Sequence, residues 1–352
     1  MKDKTNRRPS RSGSSRLKTG KLPADFLEIV LNRAENDPRV VLGPGIGRDA
    51  AVLDFCASSD RLLVAKTDPI TFATARIGSY AVNVNANDIA CMGADPTWFL
   101  ATVLLPEGSR ESLATDVFSQ IEQACGELGV ALVGGHTEVT MGIDRPIVVG
   151  CMLGEVDRST LILPESAAEG DLVLLTQGIA IEGTALLALE ASPHLEDLGG
   201  GPDMIERARG LLDDPGISVV GAARILREFD AVHALHDPTE GGLVTALREI
   251  AAPAGLGLRL RLEDVSVKVE TQVVCQALGI DPFGLLASGA LLAVVEPSGI
   301  DEVTQALEIG GIPHSLIGEL LRPDEGFVCD DRGRGRPLGF FERDELARYL
   351  DS

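Results

Sequence analysis

The chain has 352 residues, 45% hydrophobic and 24% charged, which is enough to bury the cores of two globular domains. Its formal net charge is −22, although the first 21 residues carry eight Lys or Arg against the single acid Asp3. Such an acidic body repels nucleic-acid backbones and anionic membranes, and 4% aromatics with one Trp leave little to stack on single-stranded nucleic acid.

The basic segment Met1 to Lys21 reads as a disordered tail, without the apolar stretch of a secretory signal. No apolar run approaches the roughly 18 residues of a bilayer span. A helix is expected from Leu22 through Val30, with Pro23 in its first turn. Val40 to Leu42 leads into Gly43-Pro44-Gly45-Ile46-Gly47, and a strand resumes over Ala50 to Phe55. A second strand, Arg61 to Ala65, is stopped by Thr67-Asp68-Pro69. Ile77 to Met92, rich in Ala and Asn, reads as a tightly packed helix, and Trp98 to Leu105 as a strand. Ser109 to Leu128 is an amphipathic helix with the stripe Leu113, Val117, Ile121, Ala124 and Leu128, Ser109 as N-cap and Gly129 as its stop. Strands over Val130 to Val133 and Ile147 to Val156 flank a glycine turn, Gly134-Gly135-His136-Thr137-Glu138.

Asp157 to Gly170 reads as a linker, and Ala191 to Gly216 as a long flexible insertion. Around that insertion, strands and helices alternate from Leu172 to Leu320. The pattern predicts an α/β fold with mixed sheets in both halves. The boundaries are a tail over 1–21, domains over 22–160 and 161–340, and a C-terminal tail over 341–352. None of the six cysteines forms a Cys-x-x-Cys pair, which fits reduced, mostly buried thiols and a cytoplasmic protein.

Four aspartates fall where apolar segments meet turns or small residues: Asp49, Asp68, Asp88 and Asp237. Carboxylates among glycines and hydroxyls hold Mg²⁺ and phosphate together. An acidic body admits ATP only with a divalent cation and main-chain donors. The run 43–47 is not a dinucleotide fingerprint, because Arg48 stands where the third glycine is needed and a strand follows. A Walker A loop is absent. Each segment also has a structural reading. Asp68 before Pro69 suits an Asx turn. Asn83, Asn85, Asn87 and Asp88 suit a hydrogen-bonded helix core. Gly134-Gly135 suits a hairpin turn, and Thr239 suits a helix cap.

Taken in order, these segments resemble the superfamily of aminoimidazole ribonucleotide (AIR) synthase, PurM, with the hydrogenase maturation protein HypE, thiamine-monophosphate kinase and selenophosphate synthetase. The resemblance rests on Asp49-Ala50-Ala51-Val52-Leu53, Thr67-Asp68, Asn87-Asp88-Ile89-Ala90-Cys91-Met92-Gly93-Ala94 and Asp237-Pro238-Thr239-Glu240-Gly241-Gly242-Leu243. The last of these is most like HypE, as is Leu278-Gly279-Ile280-Asp281-Pro282.

The resemblance implies a PurM-like two-domain architecture, in which the N-terminal sheet domain forms a homodimer and the C-terminal α/β domain packs on it. It implies ATP and Mg²⁺ in the cleft, with Asp49, Asp68, Asp88 and Asp237 as metal ligands. Lys66, Thr67, Asn87, Gly134, Gly135, His136, Thr137, Thr239, Gly241 and Gly242 become nucleotide contacts. The implied activity is phosphorylation or dehydration of an oxygen group on a small-molecule substrate. AIR synthase or small-molecule kinase activity is the alternative, and a nucleotide-binding maturation protein with a protein partner is the reading from another class.

Two departures stand out within the motifs: Arg48 replaces the first Asp of the Gly-Asp-Asp pattern, and Glu240 replaces the HypE arginine. HypE also carries its reacting group on a terminal cysteine. This chain's last cysteine is Cys329 and its last residues are Arg348-Tyr349-Leu350-Asp351-Ser352, so HypE-like carrier chemistry is not expected of it.

Overall fold

The computed structural model describes residues 37–56, 59–71, 75–199 and 201–351. The basic tail and the helix expected from Leu22 lie outside the described residues.

Two mixed sheets organise the chain. The first has six strands in the order β1-β2-β3-β6-β4-β5. They are β1 Val40–Leu42, β2 Ala51–Leu53, β3 Arg61–Ile70, β4 Asp95–Pro106, β5 Ala131–Thr140 and β6 Ile147–Asp157. All neighbours are antiparallel except β4 and β5, whose parallel crossover is supplied by helix α2, Glu111–Leu128. Helix α1, Ile77–Cys91, packs on β3 and β6 and against α2. The apolar stripe of α2 turns inward, burying Val117, Ile121, Ala124 and Cys125. Gly129 closes α2 in a left-handed conformation, as expected. Arg110, not Ser109, occupies the N-cap, because the Ser109 hydroxyl donates to the Pro106 carbonyl at 2.7 Å.

The second sheet runs β13-β12-β9-β11-β7-β10-β8. Its strands are β7 Leu172–Thr176, β8 Val232–His236, β9 Gly257–Arg261, β10 Leu292–Val295, β11 His314–Leu321, β12 Phe327–Asp331 and β13 Arg334–Pro337. Alternation along the strands divides their side chains between two cores. Val173 and Leu175 face a core that includes Tyr80 of α1, while Leu174, Leu235 and Ala293 join the core of the first sheet. The two sheets are therefore tied by shared apolar packing as well as by the linker.

Four expectations are corrected. Strand β3 does not stop before Thr67 but runs through Asp68 and Pro69 to Ile70. Proline fits because β2 pairs only with Leu63 to Ala65, so the Pro69 nitrogen has no ladder partner to lose on that side. Residues 134–138 are not a turn but the middle of β5. The supposed insertion 191–216 holds helices α4, Ser192–Asp197, and α5, Pro202–Gly210, following α3, Ile181–Glu190. Leu195, Ile205, Ala208, Leu211 and Leu212 recur at helical spacing there and are buried. The C-terminal tail is likewise structured. Asp344 caps a final helix, Glu345–Leu350, through the Leu346 amide, and its other oxygen accepts from Gly241 N–H at 2.7 Å.

Candidate active site

The site forms where the first sheet, α1 and the C-terminal end of β8 meet. Gly47 adopts φ +72°, and a Cβ there would strike the Glu249 carbonyl, so the loop before β2 lies directly on helix Gly242–Ala251. That approach sets Asp49 against His236, with Asp49 Oδ1 2.7 Å from Nδ1. His236 Nε2 lies 3.2 Å from Glu249 Oε2. With a carboxylate at each ring nitrogen, both nitrogens act as donors. Burial disfavours the imidazolium, but Asp49 and Glu249 outweigh it and hold His236 well above the usual histidine pKa.

On the other side Lys66 Nζ sits 3.1 Å from Asp88 Oδ1 and 3.5 Å from Asp68 Oδ2. Burial penalises the ammonium, yet Asp88, Asp68 and Asp49 together keep its pKa above the ordinary lysine value. Asp88 and Asp237 join the two halves. Cys91, one turn along α1 from Asp88, donates its thiol to Asp237 Oδ1 at 3.6 Å. Burial first, then neighbouring Asp49, raises Asp237 to about 7. Asp88 is pushed well above the carboxylate range by burial, against the pull of Lys66.

The four aspartates thus belong to one cluster, drawn from a loop, a strand, a helix and a strand end. Ligand atoms of Asp49, His236 and Asp237 lie within 4.8 Å of one another. Two carboxylate oxygens, Asp88 Oδ2 and Asp237 Oδ2, are buried with no hydrogen-bond partner among the described residues. Unpartnered buried carboxylate oxygens are rare in proteins, and a set of oxygens alone is the donor chemistry of a hard divalent cation such as Mg²⁺. The residues present therefore fit such an ion.

Arg48, in place of the motif's first aspartate, turns away and pairs with Glu165 at 2.6 Å. The polar residues expected to touch nucleotide separate into groups. Lys66 is within the cluster, and Thr67 donates to the Gly150 carbonyl at 2.7 Å. Gly241 and Gly242 begin the helix beyond Asp237, and Thr239 precedes them; the Gly241 amide is taken by Asp344 and the Gly242 amide by the Thr239 carbonyl. Asn87 points elsewhere: it donates to the Ile217 carbonyl and accepts from Val219 N–H, each at 2.9 Å. It is a clasp between α1 and the segment before helix Val220–Leu226. Asn87→Ala strands both main-chain groups in the interior and should cost about 2–4 kcal/mol in a urea melt.

Gly134, Gly135, His136 and Thr137 are not brought to the cluster within one chain. Gly135 pairs with Ala101, Ala101 with Gly150, and Gly150 with Asp68, so three strand spacings, roughly 14 Å, intervene. Gly135 has its own reason to be glycine, since a Cβ there would collide with the Ala101 carbonyl. His136 is exposed and lies 3.2 Å from Glu138.

His236, Glu249 and Cys91 escape notice in the sequence, though His236 adjoins Asp237 and Cys91 shares a helix face with Asp88.

Comparison with known proteins agrees with this architecture. The AIR synthase related protein models match residues 47–156 with their N-terminal domain and 168–330 with their C-terminal domain, so the chain belongs to the AIR synthase related family. It is 28% identical over 325 residues to carbamoyl dehydratase HypE of Rhizobium leguminosarum bv. viciae, covering 90% of this chain and 86% of that one. The crystal structure of hydrogenase maturation protein HypE in complex with ATP superimposes with a TM-score of 0.69 at 24% identity, over 85% of this chain and 90% of that chain. AaThiL complexed with AMPPCP and TMP superimposes with a TM-score of 0.68 at 19% identity, over 88% of this chain and 93% of that one. The fold is the PurM fold, with HypE-like sequence features. No helix among the described residues is long and apolar enough to cross a membrane.

Proposed function

We propose that this chain is an ATP-dependent enzyme that binds Mg-ATP at the aspartate cluster and phosphorylates an oxygen of a small molecule, which is then released or dehydrated. The observation that carries the reading is the convergence of Asp49, Asp68, Asp88 and Asp237 around two partnerless carboxylate oxygens. The ATP complex of HypE and the AMPPCP complex of AaThiL, both of this fold, support the choice of nucleotide.

Each residue has a physical task. Asp88 and Asp237 present their bare oxygens to Mg²⁺, with Asp49 and Asp68 completing an oxygen set. When bound, the ion neutralises phosphate charge and acts as a Lewis acid. Lys66 offsets the carboxylates of Asp68 and Asp88 and is the cation in the cluster able to turn to a phosphate. His236 holds Asp49 in place and offsets its charge. Asp237 must lose its proton to take a cation, so nucleotide affinity falls as pH drops below about 7.

The edge strand β5 exposes Val133 and Val139, with Met141 just beyond it. A second copy pairing along that edge would cover them and bring its own Gly134 to Thr137 nearer the nucleotide. Among the described residues the last cysteine, Cys329, is buried in β12. A separate small-molecule acceptor is therefore favoured over that thiol as a carrier. The test is ADP release by the purified protein with Mg-ATP against a panel of alcohols, carboxylates and amides. Acceptor-dependent turnover supports the reading. ATP binding without acceptor-dependent turnover, together with a stable protein complex, favours the nucleotide-binding maturation alternative, and absence of ATP binding overturns both readings.

A further inference from the structure

The last described segment, residues 338–351, is fastened to the turn that follows Asp237. Its final helix, Glu345–Leu350, buries Leu346 and Ala347. Arg248, on helix Gly242–Ala251, donates to the carbonyls of Leu338 and Gly339 at 2.9 and 3.0 Å. Glu345 accepts from the Asp281 amide at 3.1 Å, and Arg348 donates to the Gly279 carbonyl at 2.9 Å. The Tyr349 hydroxyl lies 2.9 Å from Nδ1 of His194. The segment is thus a clasp across parts of the second half that are far apart in sequence.

One contact of the clasp reaches the site. Asp344 is 7% exposed, and both of its oxygens are used. Oδ1 accepts from the Leu346 amide at 2.8 Å, which caps the helix. A cap needs only one oxygen, and serine or threonine supplies it without burying a charge. Oδ2 goes further and accepts from Gly241 N–H at 2.7 Å, 103 residues away. A hydrogen bond from an amide to a carboxylate is among the stronger ones in a protein, and the helix beginning at Gly242 turns its positive end to this carboxylate.

Gly241 closes the turn Asp237-Pro238-Thr239-Glu240-Gly241. The start of the turn is fixed by β8, where His236 pairs with Leu292 of β10. Its end is fixed twice. Asp344 holds Gly241, and Gly242, at φ +63°, lies so close to the main chain of Phe283 and Leu285 that a Cβ there would strike both. Phe341 of the clasp lies in the same way against Gly284, so the clasp backs that second contact as well. Asp237 Oδ2, the oxygen left for a cation, has no partner among the described residues. Its place therefore depends on the Cys91 thiol at Oδ1 and on the shape of the turn.

We infer that Asp344 is a positioning residue for the aspartate cluster: by holding Gly241 it keeps the turn after Asp237 in the shape that presents Asp237 to the metal of Mg-ATP. The C-terminal helix then belongs to the support of the nucleotide site and acts on it through the main chain. This inference rests on the reading of the four aspartates as the Mg-ATP site and deepens it.

The test uses the full chain and two measurements, hydrogen exchange over residues 237–242 without ligand and calorimetric titration with Mg-ATP. Asp344→Ser and Asp344→Thr keep an oxygen for the Leu346 amide but are one atom too short for Gly241. Either variant serves if the other does not fold. Tyr349→Phe is the control, because it removes the His194 contact and leaves the Gly241 tie in place. In both Asp344 variants, exchange in the turn should quicken about tenfold and the Kd for Mg-ATP should rise about tenfold. Tyr349→Phe should lower the Tm slightly and leave both readouts within about twofold of wild type. A purely structural cap would lower the Tm of the Asp344 variants and leave their Mg-ATP affinity unchanged, which overturns the inference. Unchanged exchange in the turn, or an equal loss of affinity in Tyr349→Phe, overturns it too. Absence of Mg-ATP binding by the wild type refutes the nucleotide reading and the positioning role with it, whereas tight binding by wild type and Asp344 variants alike refutes the positioning role alone.

Discussion

Asp237→Asn should abolish the stabilisation that Mg-ATP confers while leaving the metal-free protein at least as stable as wild type. Asp237 is 1% exposed and its Oδ2 has no partner, so its charge is an expense of the folded state unless a cation arrives. Asparagine keeps the oxygen that accepts from Cys91 and removes the charge. The pH dependence has a definite sign. The folded pKa of Asp237, about 7, lies above its ordinary value of 3.8, so its contribution favours folding at low pH and is lost as pH rises through 7. The stability gap between variant and wild type is therefore small near pH 4 and widest above pH 7. In thermal melts at pH 8, Mg-ATP should raise the wild-type Tm by several degrees, as expected for ligand at about 100 Kd, and leave the variant unmoved. A variant that is still stabilised by Mg-ATP removes Asp237 from the site.

Lys66→Met should be the most damaging single change in the cluster. The lysine is the cation between Asp88 and Asp68, at 3.1 and 3.5 Å, and its side chain is only 22% exposed. Removing one member of a buried charge set leaves the others uncompensated, at a cost of about 3–5 kcal/mol. That loss should be visible in a urea melt without metal. Millimolar Mg²⁺ should restore a good part of it, because a divalent cation can take over the neutralising role. The magnesium dependence separates this account from simple loss of packing, which the ion would not repair. A variant as stable as wild type without metal would mean that the aspartates do not repel one another as described.

How much of this is legible in the sequence depends on the kind of interaction. The four aspartates are marked by chemistry that local sequence displays: a carboxylate beside glycine, proline or small apolar residues. Their convergence is what the family resemblance carried by those motifs implies. Asn87 shows the limit. A polar residue in an apolar helix announces that it has a partner, but not that the partners are the main chain at Ile217 and Val219, 130 and 132 residues away. Gly134-Gly135 signals close backbone approach equally for a phosphate and for a neighbouring strand, and the neighbour here is Ala101 of β4. Thr67-Asp68-Pro69 carries a breaker signal that β3 overrides, since only the opposite edge of the strand needs its donors. The segment after Ala191 looks loose because of its glycines, although Leu195, Ile205 and Ala208 keep a helical stripe. His236 and Glu249 become site residues only because Gly47 lets a loop of one domain lie on a helix of the other.

The most direct test is a crystal of the protein grown with Mn²⁺ and ATP, examined for anomalous scattering from the metal. The account predicts metal peaks within about 2.0–2.6 Å of carboxylate oxygens of Asp88 and Asp237, bridging them to the triphosphate. A nucleotide bound with its metal away from all four aspartates, or no nucleotide in the cleft at saturating concentration, would contradict it.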